Sequence, residues 1–513
     1  MRSTMPTNLA QALLDAHPDA GSFSLETIDT TTGVRRALRR APLRDRVLRV
    51  SAGVRDRTSP GDRVFVQCTC PLETAVGFLG VIAAGRVAAP IREDLPAGEL
   101  RRLAAVARPA LLLSDRSAFP GAPPAPCSVV HISDVEACAT EPNGYHAPAL
   151  SEAAFLIFTS GTTSAPRGAL HGHHWHEGRE RIRQHWTGVG ADDRFLHTGR
   201  MFWTYALGTG LADALLADAT TMLFAATPTT DELIRAIQTT SPTVIATVPA
   251  WIRRVVRAGF AAPHIVRATF ASARAVLSAG ERLDACLRTD FEAMTGVPLH
   301  EAYGCTESST FISTRPGQPT RAGWIGPVQP GRRVELVDPE TGIPFEGPGT
   351  GALRILPDDP GLFLRYLSAP KSRSTPEPAS MRAPHPTGDL LERDAAGWYR
   401  YLGRRDAQLN VHGVRLHPLE IESVLHQHPD VSEVAVNAVE FDGRDLLCAW
   451  VVFSHTPTDE SSLVAHLERL REWTAGELAA HKRPHLYRAI PSLPRTSSGK
   501  LLRTGLPRRL TDP

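Results

Sequence analysis

The chain has 513 residues, too many for one ordinary hydrophobic core, and at about 150 residues per folding unit it divides into roughly three. Its 42% hydrophobic, 21% charged and 6% aromatic residues are a soluble globular balance, and a formal charge of +2 supplies no global field for nucleic acid or a membrane surface. Seven scattered cysteines (68, 70, 127, 138, 286, 305 and 448) favour free thiols in a reducing compartment, and with no long apolar leader the expected location is the cytoplasm.

Near the N-terminus, the run holding Arg35, Arg36, Arg39, Arg40, Arg44, Arg46 and Arg49 contains Asp45 and no interleaved aromatics, so a solvated surface is a better reading than a nucleic-acid interface. Residues 60–90 (PGDRVFVQCTCPLETAVGFLGVIAAGRVAAP) give a β-branched run, a helix-like stretch and a short run closing on proline, which reads as strand, helix, strand. Cys68 and Cys70 would share one strand face, favouring core packing over a metal site. Strand-like runs recur from Ala110, Ser128, Ala153, Thr243 and Ala268, most followed by amphipathic stretches. That alternation predicts an α/β fold with largely parallel sheets. After about residue 320, short strands with turn signals start at Arg333, Gly351 and Gly388, a small antiparallel or barrel-like β unit, while the Pro/Ser-rich 371–386 is expected to be a mobile loop. Beyond Gly403 come a helix over 418–427, strands from Val434 and Leu446, and a helix from Asp459 to Leu478. The expected division is a large N-terminal domain, 1–403, and a small mobile α+β C-terminal domain, 404–513.

The polar clusters fall after predicted strands or in turns, where α/β proteins place their sites. FTSGTTSAPRG (158–168) has the composition of a phosphate loop, since glycine admits backbone N–H groups while hydroxyls and a cation add donors. It lacks the Gly-Lys-Ser/Thr ending of the Walker loop. With YGCTE (303–307), TGD (387–389), GRRDAQLNVHG (403–413) and PRTSSGK (494–500) following in that order, the chain resembles the adenylate-forming superfamily of acyl-CoA synthetases, adenylation domains and luciferases. The resemblance implies that a carboxylate attacks the α-phosphate of Mg-ATP, releasing pyrophosphate, and that a thiol then displaces AMP. It assigns Thr159, Ser160, Gly161, Thr162, Thr163 and Arg167 to the ATP phosphates, and Glu301, Ala302 and Tyr303 to the nucleotide, Tyr303 against adenine. Thr306 would bond the α-phosphate, Glu307 would hold Mg²⁺, Asp389 and Arg404 would grip the ribose, and Lys500 would bridge carboxylate and α-phosphate. Asp406 matches the hinge of the C-terminal domain and Gly413 the wall of the thiol tunnel. Departures from the family pattern are Ser164 for glycine, Arg167 for lysine, Ala407 for a second acidic residue and Asn410 for lysine.

RMFWTYALGTG (200–210) is similar to benzoate-CoA ligases, which implies an aryl pocket walled by Trp203, Thr204 and Tyr205, with Ser278, Gly280, Gly304 and Thr310. Flat aromatic walls suit a flat acid, with core packing as the competing reading. Thr310, beside Ser308 and Ser309, stands where those ligases carry a histidine, and buried hydroxyls would read a polar ring substituent. The expected substrate is therefore a hydroxy- or amino-substituted benzoate, with ATP, Mg²⁺ and CoA. The acceptor stays open among CoA, a carrier-protein phosphopantetheine and an amine, as do nitrite activation for diazotisation of an aryl amine, and a monomer or homodimer. Retention of Lys500 argues against a non-catalytic nucleotide-binding scaffold. The histidines at 171, 173, 174 and 176 lack the H-E-x-x-H spacing and read as a helix start rather than a metal cluster.

Overall fold

Apolar β-branched runs alternating with amphipathic helices fill the first two thirds of the chain, and in the computed structural model they assemble two parallel-rich sheets. The structure describes residues 7–17, 21–116, 127–137, 144–149, 151–159, 166–367, 383–407, 409–411, 414–441, 444–455, 457–495 and 501–510. The larger sheet has eight strands, in the order Ser309–Ser313, Leu299–Cys305, Ala275–Ala279, Val244–Thr247, Arg194–His197, Thr220–Phe224, Ser24–Ile28 and Arg35–Arg39. Its edge pairs are antiparallel and all inner pairs parallel. A seven-stranded sheet places Ala153–Thr159 between Val87–Pro90 and Arg167–Gly172. Both sheets are covered on two faces, so their inner strands are continuously buried and mostly apolar.

Helix ends follow local chemistry. Thr229 and Glu232 form a reciprocal capping box ahead of Thr230–Thr240, and the Asp284 carboxylate accepts the Cys286 and Leu287 N–H groups at the start of Ala285–Thr295. The smaller β unit is a five-stranded antiparallel sheet in which Gly349–Ile355 and Tyr399–Arg404 flank His385–Arg393. Past residue 404, Val431–Phe441, Arg444–Phe453 and Leu486–Ala489 form a three-stranded sheet with its own apolar core, backed by helices Pro418–Leu425 and Glu460–Glu477. Among the described residues no helix is long and apolar enough to cross a membrane.

Three local expectations change. Ala268 lies in a helix, Pro263–Thr269, because Pro263 is preset for a first helical turn; the strand starts at Ala275. The strand Arg63–Gln67 ends before the cysteine pair because Pro71 opens a helix, leaving Cys68 buried and Cys70 half-buried just before that helix. Arg40 is not a solvated cation: it is buried, with Nη2 2.9 Å from Asp218.

One buried ion pair joins the larger sheet to the β unit. Arg332 and Asp359 side chains are both 0% exposed, with Nη2 to Oδ1 at 2.8 Å and Nε to Oδ2 at 2.9 Å. The guanidinium also donates to the Thr310 carbonyl at 2.7 Å and to the Ser308 carbonyl at 2.9 Å. Asp359 in turn accepts the Arg333 and Gly361 N–H groups. Every charge is thus satisfied, the condition under which a buried pair is tolerated. Asp359→Ala leaves the guanidinium uncompensated and should lower unfolding free energy by about 3–5 kcal/mol in urea titrations.

Candidate active site

The chain leaves the seven-stranded sheet at Thr159 and re-enters it at Arg167, its antiparallel register partner, so residues 160–166 connect adjacent strand ends. Ser160, Gly161, Thr162, Thr163 and Ser164 lie outside the described residues. At the strand ends, the Thr159 hydroxyl donates to the Arg167 carbonyl at 3.4 Å and the Arg167 guanidinium lies 5.6 Å from the centre of the Tyr366 ring. Tyr366 donates at 2.5 Å to Glu307 Oε1. Burial, followed by the Glu307 charge, raises the Tyr366 phenol pKa, so it stays a donor. His385 packs on Phe363 and Tyr366; burial lowers its pKa despite the opposing pull of Glu307. Thr306 and Glu307 sit in the turn ahead of Ser309–Ser313, where the Phe363 N–H bonds the Glu307 carbonyl at 2.7 Å.

A second cluster forms on the antiparallel β unit. Asp389 and Arg404 are register partners, with Nη1 to Oδ1 at 3.5 Å, and Nη1 donates to the Thr387 carbonyl at 2.8 Å. Arg404 Nε also pairs at 3.1 Å with the exposed Asp406. Two phenols address Asp389: Tyr303 at 2.5 Å and Tyr401 at 3.3 Å, their rings 5.9 Å apart and 29° from parallel. Burial first, then the Asp389 charge, raises both phenol pKa values, so the cluster holds one carboxylate between two neutral donors and a guanidinium.

Near the Arg200–Gly210 segment, Gly280 has φ +92°, and a methyl group there would stand 3.4 Å from the Trp203 ring. The indole therefore lies close to bare backbone. Tyr205 is buried, 5.7 Å from Trp186, 4.6 Å from His197 and 5.5 Å from Trp203 between ring centres, and its hydroxyl donates to the Thr247 carbonyl at 3.1 Å. Its hydroxyl is thus committed to the sheet, and burial raises its pKa. Thr204 is buried beside it. The Ser278 and Thr310 hydroxyls are buried and find no hydrogen-bond partner among the described residues. Gly304 faces Thr310 across the edge pair, and a Cβ there would stand 2.0 Å from the Ser309 carbonyl oxygen, so the residue is required by close strand approach.

The structure thus gathers Arg167 and Glu307 in one cluster, Tyr303, Asp389, Arg404 and Asp406 in a second, and Trp203, Tyr205 and Gly280 in a third. It does not bring the Glu301 carboxylate to any of them: Oε1 accepts the Leu283 N–H at 2.9 Å and Oε2 lies 3.5 Å from Arg288, so the carboxylate is engaged within the fold. Ala302 is buried on the same strand. Gly413 and Lys500 lie outside the described residues, as do 368–382, which take in most of the expected loop. The four histidines are dispersed: His171 is buried 4.5 Å from Phe155, its pKa pushed down to about 3 by burial; His173 accepts the Leu9 N–H; His174 faces the Leu362 carbonyl and His176 that of His173. Tyr366 and Tyr401 escaped the sequence reading. Strand alternation would set Leu402 opposite Leu391, but a register shift sets Tyr401 there, on the face of Asp389.

The AMP-binding enzyme family model matches residues 29–367, and that of the AMP-binding enzyme C-terminal domain matches residues 420–500. The chain is 29% identical to a 3-hydroxybenzoate–CoA ligase of Aromatoleum sp. (strain CIB), over 68% of this chain and 64% of that relative, less than two thirds of its length. It is 28% identical to an anthranilate–CoA ligase of Pseudomonas aeruginosa over 98% of this chain and 96% of the relative. A solved benzoate CoA ligase from Burkholderia xenovorans LB400 superposes with a TM-score of 0.81 at 25% identity, covering 97% of this chain and 99% of that one. For the carboxylate between two phenols, Asp389→Asn should lower the pKa at which Tyr303 and Tyr401 ionise in ultraviolet titration while leaving both above the ordinary value of about 10, because burial is the larger cause.

Proposed function

The chain belongs to the AMP-binding enzyme family, whose model covers residues 29–367, and from that premise we propose that it is an acid–thiol ligase joining an aryl carboxylic acid to CoA at the expense of ATP. In the first step a carboxylate oxygen bonds to the α-phosphorus and the bridging P–O bond breaks, its electron pair leaving on pyrophosphate. In the second, the thiol sulfur bonds to the aroyl carbonyl carbon, its proton passes to solvent, and AMP leaves with the C–O electron pair.

Negative charge gathers between the carboxylate and the α-phosphate in the first step, so oriented donors there lower the barrier most. Lys500 and Thr306 take that role. Thr159, Arg167 and the intervening segment hold the outer phosphates, with Arg167 able to form a two-pronged contact where a lysine could not. Asp389 and Arg404 take the ribose hydroxyls, and Tyr303 packs against adenine. Glu307, whose carboxylate is oriented by Tyr366, fits a magnesium ion that draws its other ligands from phosphate and water, and such an ion would offset phosphate charge as pyrophosphate leaves. The residues that follow Asp406 rotate as one domain about it, because adenylation and thiol attack need different groups at the same carbon.

The observation that carries the aryl assignment is the half-buried Trp203 ring packed close to the bare backbone of Gly280, an aromatic wall of the kind that suits a flat acid. The unpartnered hydroxyls of Ser278 and Thr310, on strands beside Gly280 and Gly304, support a polar ring substituent, as do the hydroxybenzoate and anthranilate named for the relatives.

ATP–pyrophosphate exchange across an acid panel should favour hydroxy- and aminobenzoates; preference for long-chain fatty acids refutes the assignment. Mass spectrometry of products with CoA or a carrier protein identifies the acceptor. Lys500→Ala should slow adenylation by roughly 10² or more, and Thr310→Val should cut the preference for a hydroxybenzoate over benzoate by about tenfold.

A further inference from the structure

Four charged side chains close an alternating ring across the seam between the large N-terminal unit and the residues beyond 404. Arg253 Nη2 lies 3.5 Å from Glu281 Oε2, and Arg253 Nε lies 3.9 Å from Glu433 Oε1. Arg495 completes it, with Nη1 3.7 Å from Glu281 Oε1 and Nη2 2.9 Å from Glu433 Oε2. Each carboxylate sits between two guanidiniums. The side chains are 15–24% exposed, so water screens the ring less than an ordinary surface pair. Burial alone would raise the Glu433 pKa, but Arg495, Arg253 and Arg257 outweigh it and lower it, keeping the carboxylate ionised. Beside the ring, Arg282 reaches across the same seam, donating to Ser423 Oγ at 2.6 Å and to the Leu419 carbonyl at 3.2 Å.

The two sides of this contact are special. On the large unit, Glu281 and Arg282 directly follow Gly280, the backbone close to the Trp203 ring. On the other side, Arg495 pairs with Leu501 in an isolated antiparallel bridge, and the Leu502 N–H bonds the Pro494 carbonyl at 2.8 Å. Lys500 directly precedes Leu501 in the chain. The turn that borders the acid pocket therefore grips the base of the segment that carries the lysine.

We propose that the Arg253–Glu281–Arg495–Glu433 ring is the catch that seats Lys500 for adenylation and releases before thiol transfer, so that Glu281 and Arg495 are positioning residues for the first half-reaction. The role rests on the ligase reading above. Rotation of the C-terminal domain would separate Arg253 and Glu281 from Glu433 and Arg495, so the strength of the ring sets how often the lysine is in place.

Half-reactions test this directly. Glu281→Gln and Arg495→Gln should each slow ATP–pyrophosphate exchange by roughly tenfold, and the double variant should be little slower than either single one, because both remove the same contact. Transfer of a preformed aroyl-adenylate to CoA should keep or exceed its wild-type rate, which also shows that the variants fold. Equal slowing of both half-reactions, or multiplicative losses in the double variant, overturns the proposal. Hydrogen–deuterium exchange reads the seam without substrate: peptides spanning 280–283 and 418–425 should exchange faster in both variants, with Ala153–Thr159 unchanged. Unchanged exchange at the seam overturns the catch. Failure of the wild type to adenylate any aryl acid counts against the ligase reading alone, since the exchange measurement still decides the catch.

Discussion

The active-site cluster depends on a buried guanidinium that never reaches it. Arg332, neutralised by Asp359, holds the Ser308 and Thr310 carbonyls and so sets the conformation in which Thr306 and Glu307 leave the larger sheet. Neither charge is exposed, and their mutual attraction together with their hydrogen bonds is what offsets the cost of removing them from water. The constraint extends outward: Gly361 and Phe363, on the stretch that Asp359 begins, meet Asp359 and the Glu307 carbonyl, and Tyr366 beyond them orients the Glu307 carboxylate. The Glu307 carboxylate is thereby given one direction by the fold itself.

Three units of the fold converge on the site, each supplying a different kind of group. The seven-stranded sheet brings Thr159 and Arg167 to one hairpin end; the eight-stranded sheet brings the Tyr303–Glu307 turn and Gly280; the antiparallel β unit brings Asp389 and Arg404. Neutral phenols fill the space between the charges. Because burial and neighbouring carboxylates raise their pKa values, Tyr303, Tyr366 and Tyr401 donate hydrogen bonds without adding negative charge to either cluster. The C-terminal unit meets this assembly through the ion pairs of Arg253, Glu281, Glu433 and Arg495 and the hydrogen bonds of Arg282, groups that return to water at lower cost than apolar surface.

Much of this was legible in the chain. Alternating apolar runs and amphipathic stretches indicated the α/β layers, and five polar motifs in order indicated the family, because local composition carries strand, helix and phosphate-loop chemistry. The boundaries were less legible: a proline starts a helix at Pro263 where the composition allowed a strand, and Pro71 cuts short the strand that would have aligned Cys68 and Cys70. Of the aromatic wall, Trp203 borders Gly280, whereas Tyr205 spends its hydroxyl on the sheet, a split that no single-sequence pattern distinguishes.

The sequence by itself determined which chemical groups are present and in what order: the phosphate-loop residues, the Thr306–Glu307 pair, the Asp389–Arg404 pair and Lys500. Only the tertiary structure decided which of them meet, and what else meets them. Tyr401 reaches Asp389 because a register shift turns its face, Glu301 is withdrawn because Arg288 lies beneath it, and Arg495 finds Glu281 although 213 positions separate them in the chain. The physical reason is common to all three: a local pattern states a side chain's chemistry, but its partner is set by strand register and sheet order, which depend on the packing of the whole core.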